Sequence, residues 1–159
     1  MRLREADARD LPFLERVLLT AYNWSEDRFT PDWIRTDEMA RRYLDGFPGD
    51  GDVGLIALIG GAPAGAAWGR ALPAGRAGYG FVAPDVPELT LGVLPEARGQ
   101  GVASCLMAAL INMSRQRGLP GLSLSVEDGN TARHLYERCG FTVVGRTGNA
   151  DTMLLRTGR

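Results

Sequence analysis

The chain has 159 residues, of which 45% are hydrophobic and 23% are charged, and its formal net charge at pH 7 is -1. This length is typical of one domain, and the composition is that of a folded globular protein rather than a disordered or fibrous one. All 18 basic residues are arginine, so the chain lacks the lysine that a Walker phosphate-binding loop or a Schiff base requires. The near-neutral charge also argues against nucleic acid as a partner.

The chain has too few cysteines and histidines for a disulfide framework or for a metal site built on these residues. Cys105 and Cys139 lie in predicted helical stripes and are expected to be buried free thiols. With His134 as the single histidine, the sequence predicts no metal site. The N-terminus has no apolar signal core, and glycine and proline interrupt the longest apolar stretch, residues 53–68, so no membrane span is expected. We therefore expect a cytoplasmic protein.

Apolar residues recur along the chain with the period of two typical of strands or with the spacing of three and four typical of helices. In the first half they predict a strand at residues 2–5, a helix at 11–22 capped by Asp10, a helix from 31 to about 44, a hairpin of strands at 53–59 and 64–70, and a long loop at 72–87. In the second half they predict a strand at 88–93, a helix at 99–117, a strand at 122–126, a helix capped by Asn130, and strands at 141–146 and 152–157. This order, β-α-α-β-β-β-α-β-α-β-β, predicts a single α/β domain with a mixed sheet over residues 1–159.

The most informative segment joins the strand at 88–93 to the long helix after it. A glycine-rich loop with Gly99 and Gly101 opens directly into that helix. Free amides at the start of a helix, together with the helix dipole, bind anions, and glycine lets a phosphate approach the backbone. Arg98 and Ser104 could add donors. The segment therefore predicts a site for phosphate or pyrophosphate.

The same segment is not a nicotinamide-dinucleotide fingerprint. Ser104 stands where that motif has its third glycine, and the loop follows a meander of strands instead of opening a βαβ unit. The loop alone does not exclude binding of another phosphorylated ligand, such as a nucleotide.

The run Arg98-Gly99-Gln100-Gly101-Val102-Ala103 resembles the acyl-coenzyme A motif of the GNAT family of N-acetyltransferases, Arg/Gln-x-x-Gly-x-Gly/Ala. A second block, from Asn130 through Tyr136 to Phe141, is similar to a later block of that family, and the order of elements matches over the whole chain. The resemblance implies the single mixed-sheet acyl-CoA N-acyltransferase fold. It also implies transfer of an acetyl group from acetyl-CoA to a primary amine by direct attack in a ternary complex, without a metal. The alternative is a domain that binds or senses acyl-coenzyme A without catalysis.

The resemblance also implies roles for individual residues. Glu88 lies where several family members carry a general base, and Tyr136 matches a tyrosine often placed near the thioester sulfur. Leu91 and Val93 would pair their backbone with the pantetheine arm, which Asn130 would also contact. The pyrophosphate would be held by the loop and first helical turn, at Arg98, Gly99, Gln100, Gly101, Val102, Ala103 and Ser104. An oxyanion would be stabilised by a backbone amide, at Val93 or Leu94.

The residues themselves leave other interpretations open. Glu88 could be a solvated residue at a strand edge, Tyr136 could fill the core, and Asn130 could be a helix cap alone. The acceptor pocket would be walled by residues 22–35 and 72–87, whose aromatic side chains suggest an aromatic-lined cleft. A small-molecule amine and a peptide N-terminus both fit, and dimerisation, which is common in the family, is left open.

Overall fold

The computed structural model describes residues 1–158, which form a seven-stranded sheet with helices on both faces. The strands are β1 (Arg2–Glu5), β2 (Val53–Ile59), β3 (Ala62–Arg70), β4 (Glu88–Val93), β5 (Gly121–Glu127), β6 (Thr142–Thr147) and β7 (Ala150–Arg156). The helices are α1 (Leu11–Tyr22), α2 (Pro31–Thr36), α3 (Glu38–Arg42), α4 (Val102–Gln116) and α5 (Ala132–Arg138), with short 3-10 turns at Ala8–Asp10, Ala74–Arg76 and Pro95–Ala97. The predicted mixed α/β fold is confirmed.

The sheet has the order β1-β2-β3-β4-β5-β7-β6, and β4 and β5 at its centre are its parallel neighbours. These two strands are paired at one register position, Glu88 with Ser123, and beyond it they diverge. The loop that precedes β4 enters the start of this gap, where a Cβ atom on Gly80 would lie 2.5 Å from the carbonyl carbon of Leu124. The divergence therefore opens a space between two central strands.

Two hydrophobic clusters cover the two faces of the sheet. On one face, Leu106 and Leu110 of α4 are completely buried, and α4 packs mainly against β2 and β3. On the other, Leu14 and Leu18 of α1 pack with Trp68 of β3, the largest fully buried side chain described. Each such side chain contributes roughly 1.5–3 kcal/mol by leaving water. The helices thus cover the sheet from both sides.

The single helix predicted for residues 31–44 is wrong, because the chain forms two helices there. Asp37 has an extended backbone, with φ of -76° and ψ of 125°, and its carboxylate accepts a hydrogen bond of 3.0 Å from the amide of Ala40. A short acidic side chain that bonds nearby backbone favours a new helix start over helix continuation. The second helix ends at Tyr43, whose carbonyl accepts a hydrogen bond of 2.8 Å from the indole of Trp68.

Other predictions need smaller corrections. The long helix begins at Val102 rather than at residue 99, and β7 begins at Ala150 rather than at residue 152. Asp10 does not cap α1; its carboxylate instead accepts from the amide of Asp7 and pairs with Arg4.

The prediction of buried thiols is also wrong, because Cys105 is exposed and Cys139 is half-buried. Cys105 lies off the buried stripe of α4, which passes through Val102, Leu106 and Leu110. Within residues 1–158, no helix has the length and the apolar character needed to cross a membrane.

Candidate functional site

The gap between β4 and β5 opens into a cleft of about 1000 Å³. Its walls are β4, the N-terminal end of α4, α5, the loop after α1 and the turn between β6 and β7. One end lies at the glycine-rich loop, which we call the cradle end, and the other lies among the aromatic residues after α1, which we call the aromatic end. Both ends belong to one continuous space.

At the cradle end the backbone is arranged for an anion. Gly99 and Gly101 have left-handed backbone conformations, with φ of 77° and 79°, which side chains other than glycine rarely adopt. The amides of residues 99–104 donate to no carbonyl oxygen in the described part of the chain, and they lead into the first turn of α4. Free N–H groups at a helix N-terminus bind phosphate through hydrogen bonds and through the dipole of the helix.

The exposed edge of β4 supplies further backbone groups. The amide of Leu94 donates to the carbonyl of Ala64 at 2.8 Å, so these two residues form a hydrogen-bonded pair of the β3–β4 ladder. Hydrogen-bonded and non-hydrogen-bonded pairs alternate along antiparallel strands. The N–H and C=O groups of Leu91 and Val93 therefore point away from β3, into the gap. Two backbone amides were predicted to stabilise an oxyanion. The amide of Leu94 already donates to the carbonyl of Ala64, whereas the amide of Val93 points into the gap.

Most residues that the sequence assigned to coenzyme binding line this cleft. They are Leu91, Val93, Arg98, Gly99, Gly101, Val102, Ala103, Ser104, Asn130 and Tyr136. Gln100 is exposed and its side chain does not line the cleft, which leaves its backbone amide to contribute. Asn130 accepts a hydrogen bond of 3.0 Å from the amide of Ala132, so it stabilises the start of α5 while it lies at the cleft.

Tyr136 combines a core position with a place at the cleft. Only 9% of it is exposed, and its ring packs against Phe141 with the centroids 6.0 Å apart. Burial raises the pKa of its phenol to about 12. The hydroxyl therefore keeps its proton at neutral pH and can act as a hydrogen-bond donor.

Glu88 lies behind the wall of the cleft and is not at its surface. It is 3% exposed, so the interpretation as a solvated strand-edge residue is wrong. Its Oε1 accepts hydrogen bonds from the hydroxyl of Tyr43 at 2.5 Å and from the amide of Gly80 at 2.6 Å. Oε2 has no hydrogen-bond partner among the described residues. Burial raises the pKa of Glu88, and the hydrogen bonds from Tyr43 and Gly80 partly oppose that shift.

Tyr43 is a functional candidate that the sequence reasoning missed. It lies at the end of α3, is 4% exposed and lines the cleft, and its hydroxyl accepts a hydrogen bond of 2.8 Å from the amide of Tyr79. Burial, followed by the nearby charge of Glu88, raises the pKa of Tyr43 well above its usual range. In sequence the only signal was a tyrosine near the end of a predicted helix, far from Glu88 along the chain.

The aromatic end is built from the last residue of α1, the loop after it and α2. The rings of Phe29 and Trp33 stack with their centroids 4.2 Å apart, and Tyr22 contacts both rings edge-on at 5.8 and 5.7 Å. Arg28 lies 5.2 Å from the centroid of Phe29 and forms a salt bridge of 2.8 Å with Glu127 of β5. These five residues line the cleft, which gives it an apolar wall with one charged pair.

The long loop before β4 contributes less than the sequence suggested. Tyr79 lines the cleft, but Phe81 does not.

Side chains of the types that bind metal ions are dispersed. Residues 1–158 contain no group of three or more His, Cys, Asp and Glu side chains placed to hold a metal ion.

Comparison with known proteins bears on this cleft. A family model described as the acetyltransferase (GNAT) family matches residues 18–141, a stretch that contains most of the residues described above. The ribosomal protein bS18-alanine N-acetyltransferase of Haemophilus influenzae is 34% identical over 70 residues, which are 42% of this chain and 48% of that protein. The mycothiol acetyltransferase of Rhodococcus erythropolis is 44% identical over 62 residues, which are 36% of this chain and 21% of that protein. The chain thus spans about half, or less, of the length of these curated relatives.

Solved structures show the same fold over nearly the whole chain. A phosphinothricin acetyltransferase of the GNAT superfamily from Sinorhizobium meliloti, described in complex with acetyl-CoA, superposes with a TM-score of 0.70. The match covers 99% of this chain and 88% of that one, at 22% sequence identity. At that identity the likeness establishes the fold alone.

Proposed function

The chain belongs to the acetyltransferase (GNAT) family, and on that basis we propose that it transfers the acetyl group of acetyl-CoA to the primary amine of an acceptor bound at the aromatic end of the cleft. The observation that supports this most is the continuity of one cleft, in which free helix N-terminal amides lie at one end and an aromatic wall lies at the other. Two substrates that meet in one space can react directly, without a covalent enzyme intermediate.

The coenzyme would occupy the cradle end. The amides of residues 99–104 would bind its pyrophosphate, with Arg98 and Ser104 as additional donors. The backbone groups of Leu91 and Val93 would pair with the amide groups of the pantetheine arm, in the way that a peptide adds to a free strand edge. Asn130 would contact the same arm from the start of α5.

Three groups of the chain would then promote acetyl transfer. The amine must be neutral to attack, and Glu88, whose pKa burial raises, is the proposed acceptor of its proton. The N–H of Val93 would stabilise the oxyanion. The Tyr136 hydroxyl would donate a hydrogen bond to the departing thiolate. With a pKa of about 12, compared with about 8.5 for an ordinary thiol, the phenol would donate that bond without giving up its proton.

The acceptor class that we propose is a primary amine, either of a small molecule or of a peptide N-terminus. This class is in keeping with two related proteins, one named as an alanine N-acetyltransferase of ribosomal protein bS18 and the other as a mycothiol acetyltransferase. The stacked rings of Phe29 and Trp33 would pack against the apolar part of the acceptor, and the Arg28–Glu127 pair lies beside them with one positive and one negative group. A cytoplasmic setting goes with this proposal, as the two free cysteines suggest.

The first experiment is isothermal titration of the purified protein with acetyl-CoA, with adenosine diphosphate as the matched control. Tight binding of acetyl-CoA together with weak binding of the diphosphate is expected. Release of free thiol from acetyl-CoA is then measured with alanine-initiated peptides and with small primary amines. Binding without thiol release from any acceptor would favour a sensing module, and equal binding of the diphosphate would favour a nucleotide site.

A further inference from the structure

We propose that Tyr43 relays the proton of the acceptor amine to Glu88, a role that rests on the acetyl transfer proposed above. Glu88 is the expected base, yet it does not line the cleft in which the amine would bind. A proton that leaves the amine therefore needs a carrier through the wall. Tyr43 occupies the position that such a carrier requires.

The hydrogen bonds to Glu88 define this position. Two described groups donate to its Oε1, the hydroxyl of Tyr43 and the amide of Gly80. Of these two residues, Tyr43 lines the cleft and Gly80 does not. The bond from Tyr43 is 2.5 Å long, which is at the short end for a hydroxyl and a carboxylate oxygen. A short, charge-assisted bond of this kind is a suitable path for a proton.

The segment before β4 seals the carboxylate from other directions. A Cβ atom on Gly78 would collide with Glu88 and would lie 2.5 Å from the hydroxyl of Tyr43. Gly80 lies against the backbone of Leu124 and Ser125, so a side chain there would also collide. The backbone amide of Tyr79, between these glycines, donates a hydrogen bond of 2.8 Å to the Tyr43 hydroxyl and so fixes its position.

The charged and titratable groups around Glu88 do not offer a competing partner. Arg70 of β3 lies opposite Glu88 in the strand register, but its guanidinium pairs with Asp52 at 2.9 Å. The groups that face Glu88 from the packed elements are Tyr22 of α1, Tyr43 at the end of α3, Tyr79 of the loop and Ser123 of β5. All four are neutral near pH 7, so none of them forms an ion pair with Glu88 in competition with the hydrogen bond from Tyr43.

The relay consists of two coupled proton transfers, one from the amine to Tyr43 and one from Tyr43 to Glu88. As the amine nitrogen forms its bond to the acetyl carbon, the π electron pair of the carbonyl moves onto its oxygen, from which it returns when the carbon–sulfur bond breaks. An N–H bond breaks and an O–H bond forms on Tyr43. At the same time the former Tyr43 O–H bond breaks and an O–H bond forms on Oε1 of Glu88. The carbon–sulfur bond then breaks and leaves a thiolate. Glu88 then gives its proton back to Tyr43 while Tyr43 releases one to solvent in the cleft, and the thiolate takes a proton from solvent, so each turnover moves one proton net from nitrogen to sulfur.

The central variant is Tyr43→Phe, which removes the hydroxyl and keeps the ring that stacks on Tyr79 and the carbonyl that accepts from Trp68. We expect turnover of acetyl-CoA with an alanine-initiated peptide to fall about 100-fold. The matched control is Ser114→Ala, which deletes another completely buried hydroxyl, on α4 and away from the cleft. It is expected to keep wild-type turnover and a wild-type pH profile.

A second measurement tests whether the Tyr43 hydroxyl is coupled to the Glu88 carboxylate, as the relay requires. The carboxyl carbon of Glu88, assigned with a Glu88→Gln spectrum, is titrated by carbon-13 NMR in the wild type and in Tyr43→Phe. Because the hydrogen bond from Tyr43 lowers the pKa of Glu88, its loss is expected to raise that pKa and to move the acidic limb of kcat/KM in the same direction. A titration that does not change would overturn the proposal.

A double variant tests whether the two residues act in series. If Tyr43 hands its proton to Glu88, Tyr43→Phe combined with Glu88→Gln is expected to be no slower than Glu88→Gln alone. Full additivity of the two effects would overturn the relay. An active wild type with normal turnover in Tyr43→Phe would overturn the relay alone, whereas a wild type that releases no thiol with any acceptor would overturn the acetyl transfer as well.

Discussion

Arg70 Nε lies 2.9 Å from Asp52 Oδ2, and the two side chains are only 9% and 1% exposed. Arg70 also donates to the carbonyls of Arg42 and Asp45, at 3.1 and 2.9 Å, where the chain leaves α3. Asp52 accepts in addition from two backbone amides, one of which is that of Ala71 at 2.8 Å. The pair therefore holds the end of α3 against β3, the strand that pairs with β4.

Removal of one partner from this pair should destabilise the protein strongly. We expect Asp52→Ala to lower the free energy of unfolding by about 3–5 kcal/mol, because it leaves a buried guanidinium without its counter-charge and two backbone amides without their acceptor. Urea denaturation measures the change. Asp50→Ala, two residues away and exposed, is the matched control and should change the free energy of unfolding by less than about 0.5 kcal/mol. A similar loss in both variants would show that the buried pair has no special role.

Gly101→Glu should abolish acetyl-CoA binding while the fold is kept. A carboxylate at this position would lie among the amides that we assign to the pyrophosphate, and would repel it. Titration calorimetry measures binding, and circular dichroism checks the fold. Gly61→Glu is the control, because Gly61 has a similar φ of 82°, equally open surroundings and a place in the hairpin turn away from the cleft. Wild-type affinity in Gly101→Glu would refute the cradle.

The contrast between Gly101 and Tyr43 shows how far the sequence reached. The glycine loop, the helix after it and the strand before it are contiguous, so local spacing was enough to predict both the elements and the anion site. Tyr43 and Glu88 are brought together by tertiary packing and by the break at Asp37, where a local hydrogen bond to the backbone overrode the helical pattern of residues 31–44. A periodic pattern carries no information about such a contact.

Glu88→Gln should reduce kcat/KM by 100-fold or more and remove its acidic limb, because the amide cannot accept the amine proton. In the wild type that limb should lie above the usual range for glutamate, since burial raises the pKa of Glu88. A rate measured from pH 4 to pH 9 tests both points. Little change in rate would assign the base to another group.

The same substitution has a linked effect on stability. The pKa of Glu88 is higher in the folded than in the unfolded chain, so the folded form holds a proton that the unfolded form has lost between these two values. Wild-type stability therefore decreases as the pH rises through this window. We expect denaturation curves of Glu88→Gln to show a decrease that is smaller over the same range, and parallel curves would contradict the raised pKa.

Tyr136→Phe should lower kcat several-fold more than it changes the affinity for acetyl-CoA. Phenylalanine keeps the packing against Phe141 and removes only the hydroxyl that we assign to the departing thiolate. Steady-state kinetics and calorimetry measure the two quantities separately. Unchanged turnover would reduce Tyr136 to a packing role. A loss of affinity without a loss of kcat would assign the hydroxyl to binding of the ground state.

Trp33→Ala should raise the KM for the acceptor about 10-fold or more and leave the affinity for acetyl-CoA unchanged. The reason is that Trp33 lies at the aromatic end of the cleft and not at the cradle end. The measurement is kcat and KM for the best acceptor of the thiol-release screen. Phe13→Ala removes another half-buried aromatic residue, which lies in the first turn of α1 and does not line the cleft. It should lose stability without a change in either constant. Equal effects of the two variants on acceptor KM would mean that Trp33 acts through the packing of α2 and not through contact with the acceptor.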